Sequence, residues 1–154
     1  MIKSYGRGRL IGLAVLFAVT GVTSPSQAAS VLSQGHFEEF VASSGCAGSP
    51  SCAVSFTAIP AGKTLILSNV SCSITASQTA SILALTLTRQ GSASILAFLN
   101  VGTLLSTGSF RRFVSNTEIS KIYVGGQIPR VAVSFTASQA ISNTQCYLTG
   151  QILP

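Results

Sequence analysis

The chain reads as an all-β protein, an antiparallel β-sandwich of the jelly-roll or Greek-key kind with about eight strands, behind an N-terminal signal peptide. Three observations predict this. From Cys52 onward Val, Ile, Thr and Phe alternate with Ser, Ala and Thr, and turn residues interrupt at short intervals. No stretch after residue 52 keeps a helical period. The hexamer "AVSFTA" occurs twice, at Ala53–Ala58 and Ala132–Ala137. A closed barrel is the second architecture that this pattern allows.

The N-terminus comes first. Lys3, Arg7 and Arg9 precede the apolar run Leu10–Val22, which gives way to "TSPSQAAS". A basic start, a run too short to span a bilayer comfortably and small residues after it form a secretory signal. Ser26 at −3 and Ala28 at −1 place cleavage after Ala28, so residues 1–28 are leader and no transmembrane segment is expected in the remainder. Three of the nine basic residues leave with the leader. The rest, set against Glu38, Glu39 and Glu118, give a net charge of about +3. With no cluster of Lys/Arg interleaved with aromatics, nucleic acid is not expected as a partner.

Residues 29–51 read as a loosely organised lead-in containing Cys46. "SSGCAGSPSC" has loop composition, and "HFEEFV" fits one helical turn or a short strand equally. The sandwich domain is expected over 52–154. A first strand holds Val54 and Phe56, and Pro60 and Gly62 then turn the chain. In "TLILSNVSCSIT" Ile66, Val70, Cys72 and Ile74 share one parity and Leu65 and Leu67 the other, which predicts a bulge or two-sided burial near Ser68. "SILALTLTR" and "SILAFLN" form a hairpin across "QGSA". "VGTLLSTG" links to "SFRRFVSN", then "EISKIYV", and "GGQIPR" leads into "VAVSFTA" and "TQCYLTGQI".

Each copy of the hexamer is followed by a cysteine strand, "NVSCSIT" at 69–75 and "NTQCYLT" at 143–149. Two pseudo-equivalent hairpins lying side by side would bond Cys72 to Cys146 and leave Cys46 with Cys52. Four cysteines in an exported chain read as disulfides, and a single His36 with no CxxC disfavours zinc.

"FTAIPAGKTLILSNVSC", "GGQIPRVAVSFTA" and the late cysteine strand resemble small secreted bacterial β-sandwich proteins of unknown function, which carry a Pro-Ala-Gly-Lys turn between a Phe-containing strand and an apolar strand. The resemblance covers most of residues 52–150. It implies a β-sandwich in a bacterial envelope or extracellular setting and brings no site residues.

An enzyme is not expected. The chain has no Asp, one His and three Glu. A triad would need His36 oriented by a glutamate, a glycosidase would need two carboxyls facing across a sugar, and neither calcium loop nor phosphate cradle is present. Glu38 and Glu39 read as solvated charge. No cofactor or metal is expected. The best candidates for binding are Arg111, Arg112, Lys121 and Tyr123, a basic-aromatic surface if their strands are neighbours. The competing reading puts the phenylalanines in the core and uses the arginines to blunt a sheet edge. The function expected is non-catalytic surface recognition or assembly at the envelope, periplasmic or extracellular, with a protein or glycan partner and room for self-association. The alternative is a carbohydrate- or ligand-binding module, and after it a small hydrolase.

Overall fold

The computed structural model describes residues 31–33, 35–43, 49–139 and 141–154. The expected leader at 1–28 and Cys46 lie outside the described residues. Among those described, ten strands run in chain order: β1 Val31–Ser33, β2 His36–Ser43, β3 Ser49–Ser55, β4 Thr64–Ser77, β5 Ile82–Arg89, β6 Ile95–Phe98, β7 Gly102–Thr107, β8 Phe110–Val124, β9 Pro129–Gln139 and β10 Ile141–Leu153. They form two antiparallel sheets, β1-β2-β10-β4-β8-β7 and β3-β9-β5-β6, packed face to face as a sandwich.

Side-chain alternation builds the core. On β4, Leu65 and Leu67 point inward, the register shifts at Ser68, and Val70, Cys72, Ile74 and Ala76 continue inward after it. The parity switch in "TLILSNVSC" is therefore a bulge, as expected. These residues meet Val54, Leu85, Leu87, Val131 and Val133 of the four-stranded sheet, all nearly inaccessible. Each such side chain contributes about 1.5–3 kcal/mol by burial. At a second shift, between Thr149 and Gly150, the backbones crowd. A Cβ on Gly150 would run into the Ile66 carbonyl oxygen and lie 3.0 Å from Leu67 Cα, so a side chain there displaces a strand.

The repeated hexamer marks a duplication. β3 pairs with β9 and matches Ala53 to Ala132, the first residue of each copy. β4 pairs with β10 and matches Cys72 to Cys146. Each residue thus lies opposite its own counterpart, as a two-fold axis through both pairs requires. The six-stranded sheet obeys that axis: hairpin β1–β2 flanks β10 as hairpin β7–β8 flanks β4. The outer hairpins also share sequence, "VLSQGHFEEFV" at 31–41 and "LLSTGSFRRFV" at 104–114. Two copies of a four-strand unit, β1–β4 and β7–β10, thus make up the molecule. The β5–β6 hairpin is inserted between them and has no counterpart beside β3 among the described residues.

The outer hairpins differ by one residue. β1–β2 closes between Ser33 and His36, whereas β7–β8 closes across Gly108–Ser109, between Thr107 and Phe110. A one-residue slip exchanges the faces of a strand. Phe37 is therefore buried and Phe40 exposed on β2, while Phe110 is exposed and Phe113 buried on β8.

Four expectations are corrected. Among the described residues the supposed lead-in is part of the sandwich, because it supplies β1, β2 and the start of β3. The strand count is ten, since "VGTLLSTG" contains β7 while "SFRRFVSN" and "EISKIYV" form the single strand β8. β8 is not an edge at the arginines, because β7 pairs with its first five residues, Phe110 to Val114. The repeated units are arches and not hairpins: β3 and β4 lie in different sheets, as do β9 and β10. The turn from Pro60 to Lys63, with Gly62 at φ +71° and Lys63 N–H on the Pro60 carbonyl at 3.1 Å, carries the first arch from sheet to sheet.

Candidate functional site

The Cys72–Cys146 disulfide bridges directly opposed residues of β4 and β10, with Cα atoms 4.1 Å apart. Cys52 is disulfide-bonded as well, and its expected partner Cys46 lies outside the described residues.

The four basic-aromatic candidates do not share a surface. Arg111 and Arg112 are neighbours on one strand and point to opposite faces. Arg111 turns inward, half-buried, and donates from Nη1 to the Ala80 carbonyl at 3.0 Å, while its buried Nε has no partner among the described residues. Arg112 points outward and donates from Nε to Ser73 Oγ at 2.8 Å. Lys121 is half-buried on the inward parity of β8. Tyr123 is fully buried and gives its hydroxyl hydrogen to the Thr88 carbonyl at 3.0 Å. The Arg89 guanidinium stands 5.7 Å from its ring centre, and burial pushes the phenol pKa far up.

The glutamates separate by face. His36 Nε2 lies 2.7 Å from Glu38 Oε1 on the outer surface. Glu38 is held below its usual range by hydrogen bonds from Tyr147 and His36, and the same bond raises Tyr147. Glu39 is not the solvated charge expected of it. It is buried, accepts the Thr57 N–H at 2.8 Å and the Thr57 hydroxyl at 2.8 Å, and desolvation raises its pKa. Glu118 is exposed.

Two surfaces collect outward-facing groups. One is a shallow trough on the six-stranded sheet, over the disulfide. Phe40 and Tyr147 wall it on one side and Val114 on the other, with Ser71, Ser73 and Gln145 between them. Arg112 reaches its rim through Ser73, and Asn69 donates to Asn116 Oδ1 at 2.8 Å farther along the face.

The second surface is the β5–β6 hairpin. Leu83 is 71 % exposed, Phe98 70 % and Ile95 49 %. β6 is an edge strand. Leu99 N–H bonds back to the Leu85 carbonyl at 2.8 Å, so by alternation the N–H and C=O of Phe98 face away from the sheet. The opposite edge, β3, is blunted. It contains Pro50, Ser51 N–H is taken by Ser49 Oγ at 3.2 Å, and just beyond the strand Glu39 takes Thr57 N–H.

Sequence reasoning passed over this second surface because "SILALTLTR" and "SILAFLN" look alike as core strands. The signal available was that the hairpin falls outside the duplicated unit. Comparison with protein-family models, characterised proteins and solved structures finds no match to this chain.

Proposed function

We propose that the chain is an exported, non-catalytic β-sandwich that acts by surface recognition or assembly at the bacterial envelope or outside the cell. The observation that carries this reading is the β5–β6 hairpin. It is an addition to a duplicated core, and it turns Leu83, Ile95 and Phe98 outward where they contribute little to that core. Large apolar side chains gathered on one exposed element mark contact surfaces. Export is supported by the basic-then-apolar N-terminus and by the Cys72–Cys146 bond, which suits an oxidising compartment. Among the described residues no helix is long and apolar enough to cross a membrane.

The test is fractionation of cells producing the wild-type chain and a Leu83→Ser, Phe98→Asp variant. The variant should keep its thermal melt yet leave the envelope or assembled fraction for the free soluble pool. Equal partitioning of the two proteins sinks the reading.

A second reading is a ligand-binding role for the trough. Aromatic walls at Phe40 and Tyr147, a floor of hydroxyls and amides and Arg112 at the rim suit a polyhydroxylated or acidic glycan. A glycan array probed with the folded chain should then show a hit that Arg112→Ala weakens, and a blank array counts against it.

A further inference from the structure

We infer that β6 is a self-association edge: two copies pair antiparallel through it, about a two-fold axis that sets Phe98 beside Phe98 of the second copy. This rests on the reading of the β5–β6 hairpin as the contact element and names its partner as a second copy of this chain.

Two observations select that occupant, and the size of the patch sets the strength of the contact. The edge offers the Phe98 N–H and C=O outward, and an antiparallel strand needs both groups from its neighbour. The same residue in a second copy supplies both at once, as a two-fold interface demands. The surroundings are uncharged: from Gln90 to Phe110 no side chain is ionisable, so β6, its flanking turns and β7 carry no charge. A second copy therefore meets no like-charge repulsion there, whereas a charged partner would find nothing to complement. The apolar patch is small: Leu83, Ile95 and Phe98 at their exposures leave roughly 400 Å² per chain. Ile95 and Phe98 lie on the pairing strand and Leu83 behind it on β5. Covering both patches whole would bury about 800 Å², short of the roughly 1,000 Å² that a stable interface clears. The association is accordingly weak and reversible.

The chain already contains one two-fold antiparallel strand pair, β3 with β9, in which Ala53 faces its counterpart Ala132 as a non-hydrogen-bonded pair. There, however, the outer edge of β9 is filled by β5, and that of β3 is capped by Ser49 and Glu39. Of the two edges of this sheet, β6 alone contains no proline. It too is flanked by caps, with Ser92 Oγ on Ser94 N–H at 3.1 Å before it and Thr117 Oγ1 on Asn100 N–H at 3.0 Å after it, which leaves the Phe98 groups between them open.

The experiment is sedimentation of the full chain, expressed with its own N-terminal segment and recovered oxidised, over a wide concentration range. Wild type should dimerise with a dissociation constant of about 100 µM or tighter. Phe98→Asp should weaken this at least tenfold with an unchanged melting temperature. Phe110→Asp, a comparably exposed phenylalanine on the other sheet, should leave it unchanged. Phe98→Cys should give a covalent dimer on oxidation, since facing residues of an antiparallel pair are within disulfide reach. A wild type that stays monomeric throughout, or a dimer indifferent to Phe98→Asp, overturns the self-pairing. If Phe98→Asp still abolishes envelope association while wild type is monomeric, the contact role of the hairpin stands and only the identity of the partner falls.

Discussion

At one edge of the four-stranded sheet β3 meets solvent with a proline, a serine folded over its own backbone and a buried glutamate closing its far end. At the other edge β6 presents "ILAF" with Phe98 largely exposed. Both edges belong to one sheet, and the duplication should have made their surroundings alike. The inserted hairpin breaks that equivalence, covering the second copy's β9 and moving the open edge out to β6. Edge strands left unpaired invite other strands. Both edges are flanked by capping side chains, Ser49 and Glu39 at β3 and Ser92 and Thr117 at β6. The contrast therefore teaches that the acquired edge differs in lacking the proline and in exposing a large apolar side chain, Phe98.

The largest expected effect concerns the bond that joins the two copies. Replacing both Cys72 and Cys146 with Ser removes a link between residues 74 apart. On the loop-entropy account this costs about 4 kcal/mol. Urea denaturation of the double variant measures it, and a loss below about 1 kcal/mol would mean that β4 and β10 hold together without it.

The next tests set pseudo-equivalent residues against each other. Glu39 on β2 and Phe113 on β8 occupy matching places, since Glu39 faces Leu148 and Phe113 faces Ile74. Phe113→Ala should cost about 3 kcal/mol through the cavity it leaves. Glu39→Gln keeps one acceptor oxygen for the Thr57 N–H and hydroxyl, removes the buried charge and puts an amide NH2 in place of the second oxygen, a fixed cost that does not vary with pH. Desolvation raises the Glu39 pKa in the folded chain above its unfolded value of 4.5. The native state therefore binds the proton more tightly. The stability this contributes is present at low pH and is lost as pH rises through the folded pKa. Glu38, held low by Tyr147 and His36, works in the opposite sense and loses its contribution as pH falls. Thermal melts of Glu39→Gln should thus gain on wild type as pH rises from the ordinary carboxylate range toward neutrality. A constant offset between the two proteins would contradict the assigned cause.

The smallest effect belongs to the outer face. Arg112→Ala gives up an exposed bond to Ser73 and should change stability by no more than about 0.5 kcal/mol, whatever it does to ligand binding.

Much of the fold was legible where the alternation was long. β4 showed its bulge at Ser68 because six inward side chains surround the parity switch. The Cys72–Cys146 bond was legible because the cysteine motif repeats after each hexamer. β1 and β2 were not, since "HFEEFV" is too short to separate a helical turn from a strand. The likeness of "FEEFV" to "FRRFV" does point to β2, but opposite charges mask it. Pro60 and Gly62 turn a chain equally well within a sheet or between sheets, so local sequence does not separate an arch from a hairpin. The composition of β8 does not disclose which parity faces β5, so it leaves open whether Tyr123 is buried or at the surface. The open edge at β6 depends on strand order, which no local stretch encodes.

The most direct test compares the two edges in one experiment: amide hydrogen exchange at Phe98 and at Ala53, whose N–H groups both face away from the sheet, over a range of protein concentration. The account predicts that Phe98 becomes more protected as concentration rises while Ala53 does not change. Protection at Phe98 that ignores concentration, or that rises equally at Ala53, would contradict it.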